Sequence, residues 1–181
     1  MLSHRTLGKI GLGAVLCVGL VVLAEVSLEQ WSLGPTDRAG WQPMHWPMRE
    51  DAWPKGRAWH REGTEVYVRI KPGYCGDCET GIIGDDALDR AVDIGLLDER
   101  YTPKDPGAGI RVTDLYGRTR IYRRRSWFGE RLAQGIAVTY KCDLVVAIVV
   151  GDVGDAETRK SAHRFIESNT VQVWLNGQLG E

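Results

Sequence analysis

The sequence predicts an α+β protein. An N-terminal hydrophobic helix leads into a small domain of ferredoxin-like order, β-α-β-β-α-β, with an extra C-terminal helix. Three observations carry this reading. Residues 10–24 hold no charge and follow a basic lead. Leu144 to Val150 is an unbroken apolar run, mostly β-branched and bounded by Asp143 and Gly151, the mark of a strand buried on both faces. Between them, strand-like alternation and helical spacing take turns along the chain.

The N-terminal segment comes first. His4, Arg5 and Lys9 precede the apolar run, and Glu25, Glu29 and Asp37 follow it. Basic-before-acidic flanks predict a cytoplasmic N-terminus with the bulk of the chain outside. Residues 1–30 are then a membrane anchor or a signal peptide. Val26, Leu28 and an interfacial Trp31 favour a single-pass inner-membrane anchor with the C-terminal domain outside the cytoplasm. The short apolar core and the small residue at Ala24 instead fit a cut there, which would make the protein secreted or periplasmic. Either way the sequence places it in the cell envelope, with the membrane as partner of its N-terminal segment.

Residues 31–63 form an extended lead. Trp31, Trp41, Trp46, Trp53 and Trp59 are interleaved with Pro35, Pro43, Pro47 and Pro54, a spacing that forbids a long helix. These tryptophans either pack along the domain that follows or form a membrane-lying or partner-binding strip in which Trp46 and Trp53 are candidates.

The compact domain is expected over residues 64–181. Val66, Val68 and Ile70 alternate with Glu65, Tyr67 and Arg69 as a strand, closed by Pro72-Gly73. Asp85 or Asp86 caps a helix carrying Leu88, Ala91, Val92 and Gly95, which ends near Asp98. Ile110 and Val112 open a hairpin that turns through 115–118 and returns to Ile121. Residues 129–141 read as a second helix, with Leu132, Ala133, Ile136, Ala137 and Tyr140 on one side. After the apolar strand, Asp155 to Ser168 is a third helix presenting Ala162, Phe165 and Ile166 inward, and 171–179 reads as a last short helix, with an edge strand as the alternative.

Composition narrows the function classes. The formal net charge of −1 argues against bulk attraction to nucleic acid. No Gly-x-Ser-x-Gly, His-Glu-x-x-His, phosphate loop or Cys-x-x-Cys-His occurs, so the familiar hydrolase, metalloprotease, nucleotide and haem signatures are missing. Gly151 to Asp155 reads as a turn with an N-cap.

Cys75-Gly76-Asp77-Cys78 is the most specific motif. The spacing suits a structural disulfide, with Cys142 as a further partner, and equally thiol exchange or metal chelation. Asp77 and Glu79, and the spacer before the next helix, oppose a lowered thiol pKa. Cys75, Cys78 and Cys142 with one of His45, His60 or His163, His60 foremost, would complete a tetrahedral zinc site. Met44-His45-Trp46-Pro47-Met48 offers soft ligands to copper. No cofactor is required by the sequence; zinc or copper is the alternative. Over residues 65–150 the order strand, Cys-x-x-Cys loop, helix resembles the heavy-metal-associated domains. It departs from them in having Pro72-Gly73-Tyr74 before the first cysteine and a six-residue spacer after the second.

Charge is patterned. Arg118, Arg120, Arg123, Arg124 and Arg125 crowd one stretch, and Trp127 and Phe128 follow at once. On a strand, Arg118 and Arg120 share one face and Arg123 and Arg125 the other. This is either a charge-guarded edge strand or a patch for an acidic protein partner or anionic lipid headgroups. Asp85, Asp89 and Asp93 line one helix stripe, and the arginines are their natural counter-charges, within the chain or between chains. The expectation is a non-catalytic interaction or accessory domain. The alternative is a thiol-redox or metal-handling protein built on Cys75 and Cys78.

Overall fold

Three tight turns organise the sheet. Glu62 and Gly63 (φ 49° and 79°), Thr113 (φ 52°) and Lys141 (φ 53°) adopt the left-handed conformation with which two-residue hairpin turns match the twist of their strands. The computed structural model describes residues 33–74, 84–127 and 129–180. Residues Asp37–Glu181 form one unit, distinct from Met1–Thr36.

That unit is built on one antiparallel sheet. Its strands are β1 (Gln42–Met44), β2 (Arg57–Arg61), β3 (Thr64–Lys71), β4 (Thr102–Pro103), β5 (Ala108–Val112), β6 (Leu115–Ser126), β7 (Gly129–Tyr140) and β8 (Asp143–Gly151). They lie in the order β1-β2-β3-β8-β7-β6-β4, and β5 pairs with β6 beside β4. Sequence neighbours pair as hairpins on each side, and β3 meets β8 in the middle with Lys71 opposite Leu144.

Helices cover both faces. On one, α2 (Ala156–Ile166) and α3 (Asn169–Leu179) bring Ala162, Phe165, Ile166, Val171 and Leu175 against Val66, Val68, Val145, Ala147 and Val149, with Trp41 and Trp59 in the same cluster. On the other, α1 (Asp85–Val92) and the single 3-10 turn after it bring Leu88, Ala91, Val92 and Ile94 against Tyr67, Tyr122, Ala133, Ala137, Val146 and Ile148. Strand β8 therefore buries its whole run Leu144–Val150. Asp155 caps α2, its Oδ2 accepting from Thr158 N at 2.7 Å.

The ferredoxin-like order is overturned. Residues expected as the second helix are strand β7. Residues 133–138 are all buried there, because Ala133 and Ala137 face α1 while Ile136 and Val138 face the α2–α3 side. A strand covered on both faces shows no alternation, and its apolar positions can mimic helical spacing. The hairpin also turns at Thr113–Asp114 rather than within 115–118, so β6 is long and continuous. Helix α1 ends at Val92, where Asp93 turns left-handed (φ 48°). In the segment read as an extended lead, residues 42–44 and 57–61 are sheet strands β1 and β2.

The envelope placement is corrected as well. The hydrophobic helix expected over 1–30 falls outside the described residues. Among the described residues no helix is long and apolar enough to cross a membrane. The longest, α2 and α3, have 11 residues each, about 16 Å against an apolar thickness of about 30 Å. The single-pass inner-membrane assignment, and the envelope location drawn with it, thus have no membrane-crossing helix behind them among the described residues. The expected disulfide is not found either: no bonded cysteine pair occurs among the described residues.

Candidate interaction site

The acidic helix and the arginine strand face each other within the chain. Alternation along β6 directs Arg118, Arg120, Tyr122 and Arg124 to the α1 face. Arg118 Nη2 bonds Asp85 Oδ1 and donates to Gly107 O at 3.0 Å. Arg120 Nη1 donates to Asp89 Oδ2 at 2.7 Å and its Nε to Asp105 O at 2.8 Å. Tyr122 Oη donates to Asp89 Oδ1 at 2.6 Å. Arg124 Nη1 bonds Asp98 Oδ2, which also accepts from Arg100 Nη2 at 2.7 Å.

These contacts hold α1 and residues 98–107 onto the sheet. The bond from Gly107 N, and then that from Arg118, pull the Asp85 carboxyl below its ordinary pKa. Arg100 first and Arg124 second hold Asp98 far below the usual range. Burial, reinforced by the bond to Asp89, pushes the Tyr122 phenol upward and keeps it a neutral donor. Three of the five arginines of the cluster are thus occupied internally.

The rest of the cluster belongs to a projecting ribbon. On one side the β4 ladder stops at Thr102 opposite Arg123; on the other the β8 ladder stops at Gly151 opposite Leu132. Beyond those points β6 and β7 continue as a bare pair: Arg124 opposite Arg131, Arg125 opposite Glu130, Ser126 opposite Gly129. Trp127 sits at the tip, 103% exposed. Gly129 beside it takes φ 122°, a conformation that side chains resist. Arg125 reaches Glu130 only at 3.9 Å, and Arg123 and Arg131 have no carboxylate partner among the described residues.

Trp46 and Trp53 do something different. Trp46 packs edge-on to Tyr67 (centroids 6.3 Å apart) with the Arg69 guanidinium over it at 5.6 Å. Arg69 forks onto Asp51 at 2.7 and 2.9 Å. Trp53 meets Tyr74 edge-on at 5.4 Å, and Lys71 Nζ lies 5.4 Å and 5.5 Å from the two ring centres. Both tryptophans are half-buried and roof the outer part of β3. Lys71 is 1% exposed, and burial, the largest cause, lowers its pKa.

The cysteine and metal candidates are not brought together by the described residues. Cys75 and Cys78 lie outside them. Cys142 is exposed in the β7–β8 turn, which Gly73 N ties to β3 through Asp143 Oδ1 at 2.9 Å. His60 pairs with Glu65 at the opposite end of β3 from Lys71, a separation of about 20 Å at about 3.3 Å per residue. His60 and Cys142 therefore cannot share one ion. Among the described residues no group of three His, Cys, Asp or Glu side chains is placed to hold a metal.

Local pattern conceals the placement of Arg131 and Lys71. Reading 129–141 as a strand would have set Arg131 opposite Arg124, and continuing the odd-numbered face of 67–71 would have taken Lys71 inward. No protein-family model matches the chain, and no curated protein matches it in sequence.

Proposed function

We propose that this chain is a non-catalytic interaction domain whose contact element is the β6–β7 tip, and that its partner is a protein surface bearing acidic groups. The observation that carries the reading is Trp127, fully exposed at the end of a ribbon that outruns both neighbouring strands. An isolated domain gains nothing from such a residue, whereas tryptophan and arginine dominate the energetic centres of protein interfaces. Arg123, Arg125 and Arg131 supply the charge. The outer edges of residues 124–126 and 129–131 also lack strand neighbours. A polypeptide can complete those edges by strand addition and a lipid surface cannot, which favours protein as the partner.

Burying a tryptophan removes about 150–250 Å² from water, so its truncation in an interface weakens binding by at least about 2 kcal/mol, roughly 30-fold. The test places a photocrosslinking amino acid at position 126, and separately at the remote exposed Asn176, in the full chain. A discrete protein adduct from position 126, absent from 176 and lost in Trp127→Ala with unchanged thermal stability, supports the reading. Adducts of equal pattern from both positions overturn it. Trp127-dependent sedimentation with anionic vesicles, without a protein adduct, would replace the protein partner by a membrane surface.

A further inference from the structure

On the opposite face from the α1 cluster, the structure has a second arginine pair with no counter-charge of comparable quality. We propose that Arg61 and Arg164 form a binding site for a small oxyanion group, a phosphate or a carboxylate. It lies in the cleft between the 37–41 turn and helix α2.

The cleft has a volume of about 310 Å³ and is lined by Asp37, Trp41, Arg61, Ser161, Arg164 and Ser168, among others. An adjoining cleft of about 330 Å³ shares Trp41, Arg61, Ser161 and Arg164. Each space equals roughly ten liquid-water volumes at about 30 Å³ apiece, enough for phosphate or a short dicarboxylate. The floor is rigid: Trp41 and Phe165 stack with centroids 4.4 Å apart and planes 19° from parallel.

The arginines covered on the α1 face of the sheet are closely paired. Arg69, Arg118, Arg120 and Arg124 each meet a carboxylate oxygen at 2.7 Å or closer. Arg61 reaches only its exposed neighbour Glu62, at 3.6 Å. Arg164 makes one long bond, Nε to Lys160 O at 3.4 Å, and has no carboxylate partner among the described residues. The one acid lining the same cleft, Asp37, pairs with neither arginine within ion-pair distance; its Oδ1 accepts from Ala39 N (2.9 Å) and Trp41 N (2.8 Å), which shapes the turn that walls the cleft.

The adjoining cleft is less suited to an anion, since Glu62, Asp155 and Glu157 line it. The ligand is therefore assigned to the side bounded by Asp37 and Ser168. Two guanidiniums lining one walled space can recognise an oxyanion by forked, charge-assisted bonds. The acids next door restrict the ligand to a small group.

The test is titration of the full chain with inorganic phosphate and, separately, with succinate. Ionic strength is held constant with sodium chloride, and binding is read by calorimetry and by the change in intrinsic tryptophan fluorescence, to which Trp41 in the cleft floor contributes. One-to-one saturable binding of at least one probe is expected, weakened about tenfold or more by Arg61→Gln and by Arg164→Gln. Arg49→Gln, an exposed arginine paired with Glu99 on the α1 side of the sheet, should leave it unchanged, as should Trp127→Ala. Preference between the probes separates phosphate from carboxylate. Arg61→Lys and Arg164→Lys, which keep the charge, guard against misfolding and should retain part of the affinity. Absence of saturable binding by both probes, or equal affinity in wild type and in folded Gln variants, overturns the proposal.

Discussion

Removing the Asp89 carboxylate should cost the fold about 3 kcal/mol, and about 1–2 kcal/mol of that should depend on one hydroxyl. Asp89 accepts from Tyr122 Oη at 2.6 Å and from Arg120 Nη1 at 2.7 Å, tying α1 to β6. Tyr122 is 1% exposed, so in Asp89→Ala its hydroxyl loses its partner where water cannot replace it, a penalty of about 1–3 kcal/mol. Arg120 loses less. It keeps Asp105 O at 2.8 Å and a distant Asp85 Oδ2 at 3.9 Å, so its share is about 1 kcal/mol. In a domain of about 150 residues each kcal/mol moves Tm by about 2–4 °C, giving a fall of about 6–12 °C. Urea and thermal denaturation of wild type, Asp89→Ala, Tyr122→Phe and the double variant form the assay. With phenylalanine at 122 no hydroxyl is stranded, so Asp89→Ala should cost about 1–2 kcal/mol less in that background. Equal costs in both backgrounds, or a loss below about 1 kcal/mol in the single variant, would refute the reasoning.

Two further outcomes follow from packing and burial. Lys71 has its ammonium pKa lowered chiefly by burial, so between that lowered value and the ordinary one the unfolded chain binds more protons and stability rises with pH. Lys71→Met should flatten that rise and add about 1 kcal/mol at pH 7, which urea melts at pH 7 and pH 10 would measure. A Cβ on Gly135 would sit 2.8 Å from the Tyr122 ring and 2.8 Å from Val92 Cγ1. Gly135→Ala should therefore destabilise by about 1–3 kcal/mol, and a thermal melt indistinguishable from wild type would contradict that packing.

Local pattern carried some elements and failed at others for a physical reason. The run Leu144–Val150 has one solution, a strand covered on both sides, and β8 occupies it. Ala162, Phe165 and Ile166 with Asp155 ahead of them describe α2, because an amphipathic stripe and its cap are both local signals. At 129–141 the local signal misled. The positions of Leu132, Ala133, Ile136 and Ala137 suit a helix, yet ladders to β6 and β8 along both edges outweigh that spacing. The prolines of 31–63 excluded a helix but could not show that Pro43 and Trp59 would meet across β1 and β2.

The sequence by itself determined where charge of each sign concentrates. The acidic stripe at 85, 89 and 93 and the arginines from 118 to 125 are visible in the chain as opposite patches of about equal reach. Only the tertiary structure decided which of those charges are spent. Pairing depends on the register of β6 beneath α1, which places Asp85 on Arg118 and Asp89 on Arg120, and on where β4 and β8 stop. That termination leaves Arg125, Arg131 and Trp127 on an uncovered ribbon. It is a property of neighbouring strands, far apart in sequence, and no local pattern around Trp127 encodes it.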